Sequence, residues 1–272
     1  MRSAFEVYIQ EIPEILSMLS VFEYPETYGF LSGISEEFSD EMTPYDLAET
    51  LLLSDRNREL PSYLIDYITD LLTISGEEGN EEAWNTLGAH YYGGVRGFEQ
   101  NFSKAMDLYI KAASMGSRQA QENLGYCYYY GRDGEVDYEK AFHYFALGAF
   151  DGHLISLYKI GDMYRNGYYV EKNEKEAFHI YMHCLDTMTE EYEMDVAGPV
   201  SLRLGDMFLN GLGTEINPLS ALVSYQKAEV YLYNMVRNGD DMYRKSLMNA
   251  IEGQKRAREA LELPEKTWTV DD

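Results

Sequence analysis

Residues 122–152 read ENLGYCYYYGRDGEVDYEKAFHYFALGAFDG. Six tyrosines and five glycines fall within this stretch. An active-site loop, a sugar-binding face or a tightly packed helix pair would each account for so many rings beside so many tiny residues. The choice turns on whether the pattern occurs once or recurs.

It recurs. Leu124-Gly125 has counterparts at Leu87-Gly88, Ile160-Gly161 and Leu204-Gly205, in steps of 37, 36 and 44 residues. Four residues after each Leu or Ile stands an aromatic: Tyr91, Tyr128, Tyr164, Phe208. Three further on is a glycine: Gly94, Gly131, Gly167, Gly211. A short polar residue follows (Asn101, Asp137, Asn173, Asn217). Then comes Lys104-Ala105 or its relative (Lys140-Ala141, Glu176-Ala177, Ser220-Ala221), with an aromatic four past the alanine at Tyr109, Phe145, Tyr181 and Tyr225.

Each element has a physical reading. Ala, Leu and Tyr spaced by four form one stripe of a first helix. The second glycine falls where a left-handed C-terminal cap belongs, and Asn or Asp falls where an N-cap belongs. The glycine after Leu admits a close neighbour. Each unit is therefore a helical hairpin of about 36 residues that cannot bury its apolar face alone and must stack on neighbours. The recurrent rings, Tyr128 and Phe145 among them, are expected as knobs set into hollows at Gly125 and Ala141.

These units resemble Sel1-like repeats, relatives of the tetratricopeptide repeat. The first fits from Ala83 through LGAHYYGGV and KAMDLYIKAA to Gly116, and the second from Ala120 to Gly152. The third, from Ser156, loses the Lys and is followed by DTMTEEYEMDVAGPV, which accounts for the long step. The fourth, from Val200, keeps LGDMFLNGLG and then decays. The resemblance implies an all-α fold, a right-handed superhelical solenoid that presents a concave face to proteins as a scaffold or adaptor. Some secreted members bridge the two helices of a unit with a disulfide. The matching positions here are Ala83/Ala113 and Ala120/Ala149, without cysteine.

The flanks complete a three-part organisation: an acidic helical region at 1–79 with room for a degenerate repeat, four repeats at 80–232, and a C-terminal capping helix with its tail at 233–272. In the first part, TPYDLAETLLL places Thr43 at an N-cap and Pro44 at the first helical position. The segments AFEVYIQEIPEILSMLSVF and SYLIDYITDLLTI have helical apolar spacing. The loop SEEFSDE is expected to be solvated, and the tail from Pro264 disordered.

Charge narrows the function. The chain has 272 residues, 22 Lys and Arg against 47 Asp and Glu, and a net charge of -25. Residues 1–80 hold three Arg, no Lys and seventeen acidic residues. Nucleic-acid binding needs cations to displace counterions, so it is disfavoured, as is an anionic membrane surface. A basic protein partner suits this charge. No run of about 18 apolar residues is present, as a membrane-spanning helix would need. Two cysteines, Cys127 and Cys184, make no disulfide framework and read as cytoplasmic.

No motif announces catalysis. Nothing marks Cys127 as activated, and no serine lies in a G-x-S-x-G context. The glycines of YGGVRGFEQN lack the Lys-Ser/Thr of a phosphate loop and are explained by the repeat. His179 and His183 stand four apart in HIYMHC, a spacing that can chelate zinc on one helix face, without the glutamate of a metalloprotease motif. They are a weak metal candidate, and no cofactor is expected.

In related solenoids the first helices line the concave surface, so the resemblance implies that positions there pointing away from the apolar stripe would line it here: Tyr92, Tyr126, Tyr129, Tyr158, Asp162, Arg165, Arg203 and Asp206. Tyr and Arg dominate interface hot spots. Three readings follow. The first is a scaffold that binds a peptide or protein there. The second is a cytosolic inhibitor or immunity protein that neutralises a basic effector. The third is a hydrolase on a small molecule or cell-wall fragment, which no residue constellation supports.

Overall fold

A computed structural model of the chain describes residues 8–36 and 42–263. Among these, all regular structure is helical. The chain forms two compact units divided between Asp137 and Tyr138, inside the second repeat. The tail from Pro264 and most of the SEEFSDE loop lie outside the described residues.

The first unit holds seven helices among its described residues: α1 (Ile12–Met18), α2 (Pro25–Glu36), α3 (Pro44–Leu53), α4 (Ser62–Glu77), α5 (Glu81–Gly93), α6 (Phe102–Ser114) and α7 (Arg118–Tyr130). Neighbours in sequence pack as hairpins: α1 on α2, α3 on α4, α5 on α6, with α4 against α5 and α6 against α7. Thr43 caps α3 as its sequence indicates, with Asp46 completing a capping box and Pro44 opening the helix. The apolar segment near the N-terminus does not make one long helix. α1 begins only at Ile12, with Pro13 in its first turn, where a missing N–H costs nothing. α2, which the sequence reading does not mark, is anchored from outside. The Asp55 carboxylate accepts from both the backbone N–H and the hydroxyl of Thr27, at 3.0 and 2.9 Å.

The second unit comprises α8 (Tyr138–Phe150), α9 (Leu154–Asn166), α10 (Glu174–Thr187), α11 (Glu190–Asn210), α12 (Pro218–Arg237), a 3-10 turn (Asp241–Tyr243) and α13 (Arg244–Ala260). Each packs on the next, and first helices also touch the following first helix: α9 with α11, and α11 with α13. The C-terminal helix thus stacks where the first helix of a further repeat would lie. The segment read as an insertion after the third repeat is mostly helix, because α11 runs back through it. Val196, Ala197 and Val200 extend the apolar stripe of Leu204 and are fully buried, which outweighs the hydrogen bond lost at Pro199.

The repeat rule holds at its central positions. Leu87, Leu124, Ile160 and Leu204 are buried. Gly88, Gly161 and Gly205 receive the rings of Tyr109, Tyr181 and Tyr225, each so close that a β-carbon would stand 2.7 Å from a ring carbon. The hollows are therefore the glycines of the first helix, and the knobs are the aromatics of the second. Gly94 and Gly131 close α5 and α7 in the left-handed conformation, at φ 59° and 61°, where an L side chain would be strained. Asn101, Asn173 and Asn217 cap α6, α10 and α12, each accepting a backbone N–H three residues on.

Candidate protein-binding surface

In the first unit, one of the sequence-predicted residues, Tyr92, meets a cation, and two more, Tyr126 and Tyr129, pack on a ring that the same cation touches. α5 ends in Tyr91-Tyr92-Gly93 and α7 in Tyr128-Tyr129-Tyr130, followed by the left-handed Gly94 and Gly131. After Gly131 the chain turns back, and the N–H of Arg132 bonds the carbonyl of Cys127 at 2.9 Å. That turn sends the Arg132 side chain toward α5. Its Nε donates to the Tyr92 hydroxyl at 3.0 Å. Its guanidinium carbon lies 5.7, 5.5 and 5.3 Å from the ring centres of Tyr92, Phe102 and Tyr130, within cation–π range.

The rings brace one another. Tyr92 meets Phe102 edge-on at 5.2 Å, Tyr126 stacks on Tyr130 at 6.2 Å, and Tyr129 meets Tyr130 edge-on at 5.0 Å. On the same hairpin, the Lys104 ammonium donates to the Tyr91 hydroxyl at 2.7 Å and sits 3.9 Å above that ring. Arg132 is exposed, Tyr130 is 48% exposed, and Tyr92, Tyr126 and Tyr129 are half-buried. The result is a braced aromatic surface with the Arg132 cation laid on it.

In the second unit, the five remaining residues are engaged with one another or with the core. Tyr158 and Asp162 are 3% and 6% exposed, which removes both from the open surface expected for them. Asp162 on α9 accepts from Arg203 Nε and Nη2 on α11, and from the Tyr181 hydroxyl on α10 at 2.6 Å. Lys159 Nζ stands 3.9 Å away. The Arg203 guanidinium also covers the Tyr158 ring at 5.0 Å. One repeat later Asp206 accepts from the Tyr225 hydroxyl at 2.8 Å and from Arg165 at 3.3 Å. The two arginine–aspartate pairs run in opposite directions between α9 and α11 and tie these first helices together.

Electrostatics fits that structural part. Burial pushes the Asp162 carboxyl upward, but Arg203, Lys159 and the Tyr181 hydroxyl more than reverse it and hold it below the ordinary carboxylate range. Burial raises the Tyr181 hydroxyl, and the neighbouring Asp162 charge raises it further.

His179 and His183 are both exposed on α10. Among the described residues no group of three His, Cys, Asp or Glu side chains is placed to hold a metal ion. Cys127 and Cys184 are buried, and burial pushes each thiol up to about 12, far from a nucleophilic thiolate at neutral pH. Among the described residues no helix is long and apolar enough to cross a membrane.

Sequence reasoning missed Arg132, Phe102 and Tyr130. A signal for Arg132 existed: eight residues past the repeat leucine, the other units carry Val95, Tyr168 and Leu212. A cation there is not required by the repeat.

The Sel1 repeat model matches residues 86–117, 118–153, 154–181 and 201–228. Protein sel-1 homolog 2 of Mus musculus is 32% identical over 130 residues, covering 48% of this chain and 19% of that protein. Chitin synthase regulatory factor 2 of Schizosaccharomyces pombe is 28% identical over 195 residues, covering 65% and 36%. The ERAD-associated E3 ubiquitin-protein ligase component HRD3B of Arabidopsis thaliana is 33% identical over 109 residues, covering 39% and 17%. The chain thus spans well under half the length of each of these relatives. Among solved structures, c5321, a protective antigen of uropathogenic Escherichia coli with an SLR fold, superposes with a TM-score of 0.59 at 20% identity, covering 88% of this chain and 52% of that one. A Sel1 repeat protein from Oxalobacter formigenes gives 0.55 at 21%, covering 83% and 94%. The fold class is that of these structures, an all-α chain of helix-turn-helix repeats.

Proposed function

The chain carries four Sel1 repeats in tandem, and from that premise we propose that it is a non-catalytic scaffold that holds a segment of another protein against the aromatic end of its first two repeats. The observation that carries this reading is the braced cluster of Tyr92, Phe102, Tyr126, Tyr129 and Tyr130 around the exposed Arg132. Rings held by other rings lose little entropy on binding, and Tyr and Arg are the side chains that most often dominate interface energetics. Two relatives are named for a part in something larger, a ligase component and a regulatory factor, which accords with a scaffold. The two buried, protonated cysteines accord with a cytoplasmic setting and offer no nucleophile.

The test is affinity capture from a native extract with the wild-type chain, followed by direct binding of the captured protein. A double change, Tyr130→Ala with Arg132→Ala, is expected to weaken binding at least tenfold without altering the helical spectrum. A captured partner that binds both chains equally defeats this reading of the surface.

A further inference from the structure

We propose that Arg132 is a preset receptor for a carboxylate, so that the surface takes an acidic protein segment whose Asp or Glu lies beside an aromatic or aliphatic side chain. The inference rests on the reading of this surface as the binding site and adds the chemistry of the partner.

The guanidinium has five N–H donors in a rigid plane. One, at Nε, is spent on the Tyr92 hydroxyl. The rings of Tyr92, Phe102 and Tyr130 surround the group and fix its orientation. The two Nη groups make no hydrogen bond or ion pair among the described residues, although Asp133 and Glu135 lie in the adjoining turn and are exposed. A pinned guanidinium with both Nη groups unspent matches the fork that binds a carboxylate in two parallel hydrogen bonds. The surrounding rings offer apolar contact to whatever flanks that carboxylate.

The repeat pattern argues that this arginine is not structural. Val95, Tyr168 and Leu212 occupy the same position in the other units, which fold without a cation there. Lys104, laid on Tyr91 next to Tyr92, adds a second positive charge to the same end of the first repeat.

The net charge of -25 points the other way, toward a basic partner. Range decides between them. At physiological ionic strength the field of distant charges is screened beyond about 8 Å, whereas a charge-assisted contact acts at about 3 Å. Overall charge therefore slows the approach of an acidic segment, and the local site decides what stays bound.

The experiment is selection of a displayed library of random 12-residue peptides on the full chain, with affinities of the winners measured against wild type, Arg132→Gln and Tyr130→Ala. Matched thermal melts confirm that the variants fold. Winners are expected to carry Asp or Glu next to a large apolar residue. Arg132→Gln should weaken them roughly tenfold or more, and changing the peptide's Glu to Gln should do the same. The two changes together should cost little more than either alone, since each removes the same contact. Winners that respond to Tyr130→Ala but not to Arg132→Gln, or that are rich in Lys and Arg, overturn carboxylate recognition while leaving the binding surface in place. Winners indifferent to both substitutions overturn both readings.

Discussion

Arg203 of the fourth repeat donates Nε and Nη2 to the Asp162 carboxylate of the third, with Nη2 at 2.6 Å. Arg165 of the third reaches back to Asp206 of the fourth at 3.3 Å. The two pairs look alike on paper and differ in burial. The Asp162 side chain is 8% exposed and Arg203 21%, whereas Arg165 and Asp206 are 23% and 36% exposed.

That difference sets the first prediction. Asp162→Asn leaves a largely buried guanidinium without its counter-charge and should cost about 3 kcal/mol, since breaking a buried pair from one side is expensive. Arg165→Gln removes a pair that water already screens and should cost about 1 kcal/mol or less. Chemical denaturation of both variants checks the ranking. Equal losses would mean that Asp162 is not held as described.

A second prediction concerns acid. His90 lies against Phe98 with ring centres 5.0 Å apart, and its Nε2 is buried without a hydrogen-bond partner. Burial, aided by the nearby Arg96 charge, pulls its pKa down to about 4 from an ordinary 6.5. Between those values the unfolded chain binds a proton that the folded chain refuses. The contribution is thus complete above pH 6.5 and is lost as pH falls toward 4. A shift of this size corresponds to roughly 3 kcal/mol. Stability measured against pH for wild type and His90→Phe should diverge within that window and run parallel above it. Parallel curves throughout would refute the buried neutral imidazole.

The glycines allow a signed pair of substitutions. A β-carbon at Gly205 would stand 2.7 Å from the Tyr225 ring. That ring cannot retreat, because it is fully buried and its hydroxyl is tied to Asp206. Gly205→Ala should lower stability by about 1–3 kcal/mol through overpacking. Gly33, exposed on α2, has nothing within 4 Å of the same added atom. Gly33→Ala should raise stability by about 0.5–1 kcal/mol by relieving backbone entropy. Melting temperatures that move in the same direction would contradict the packing described.

Removing an N-cap tests the hairpin grammar itself. Asn101, Asn173 and Asn217 accept the N–H of Lys104, Glu176 and Ser220 at 2.9, 3.0 and 3.0 Å. Each Asn→Ala change should cost about 1 kcal/mol. The triple variant should lose close to the sum, since the three sites share no partner. A triple variant as stable as wild type would remove these residues from any role in setting the hairpins.

What the sequence by itself determined is what can be decided within one hairpin. The buried Leu87, Leu124, Ile160 and Leu204, the left-handed glycines Gly94 and Gly131, and the asparagine caps all follow from spacings of a few residues. Helical periodicity and cap chemistry are local, so they can be read from the chain. The glycine that receives each aromatic lies about twenty residues from it, still inside the unit.

The candidate site was legible only in part, because periodicity says which way a side chain points and not what comes to meet it. Tyr158, Asp162 and Arg203 point off their own apolar stripe, yet they meet each other across two repeats, some 41 residues apart in the Arg203–Asp162 pair. Conversely, Arg132 lies in a turn with no periodicity to interpret, and only folding brings it between Tyr92, Phe102 and Tyr130. Stacking one hairpin on the next covers some outward-facing charges and leaves others free. That outcome depends on side chains far apart in the chain arriving at one place, which tertiary structure alone decides.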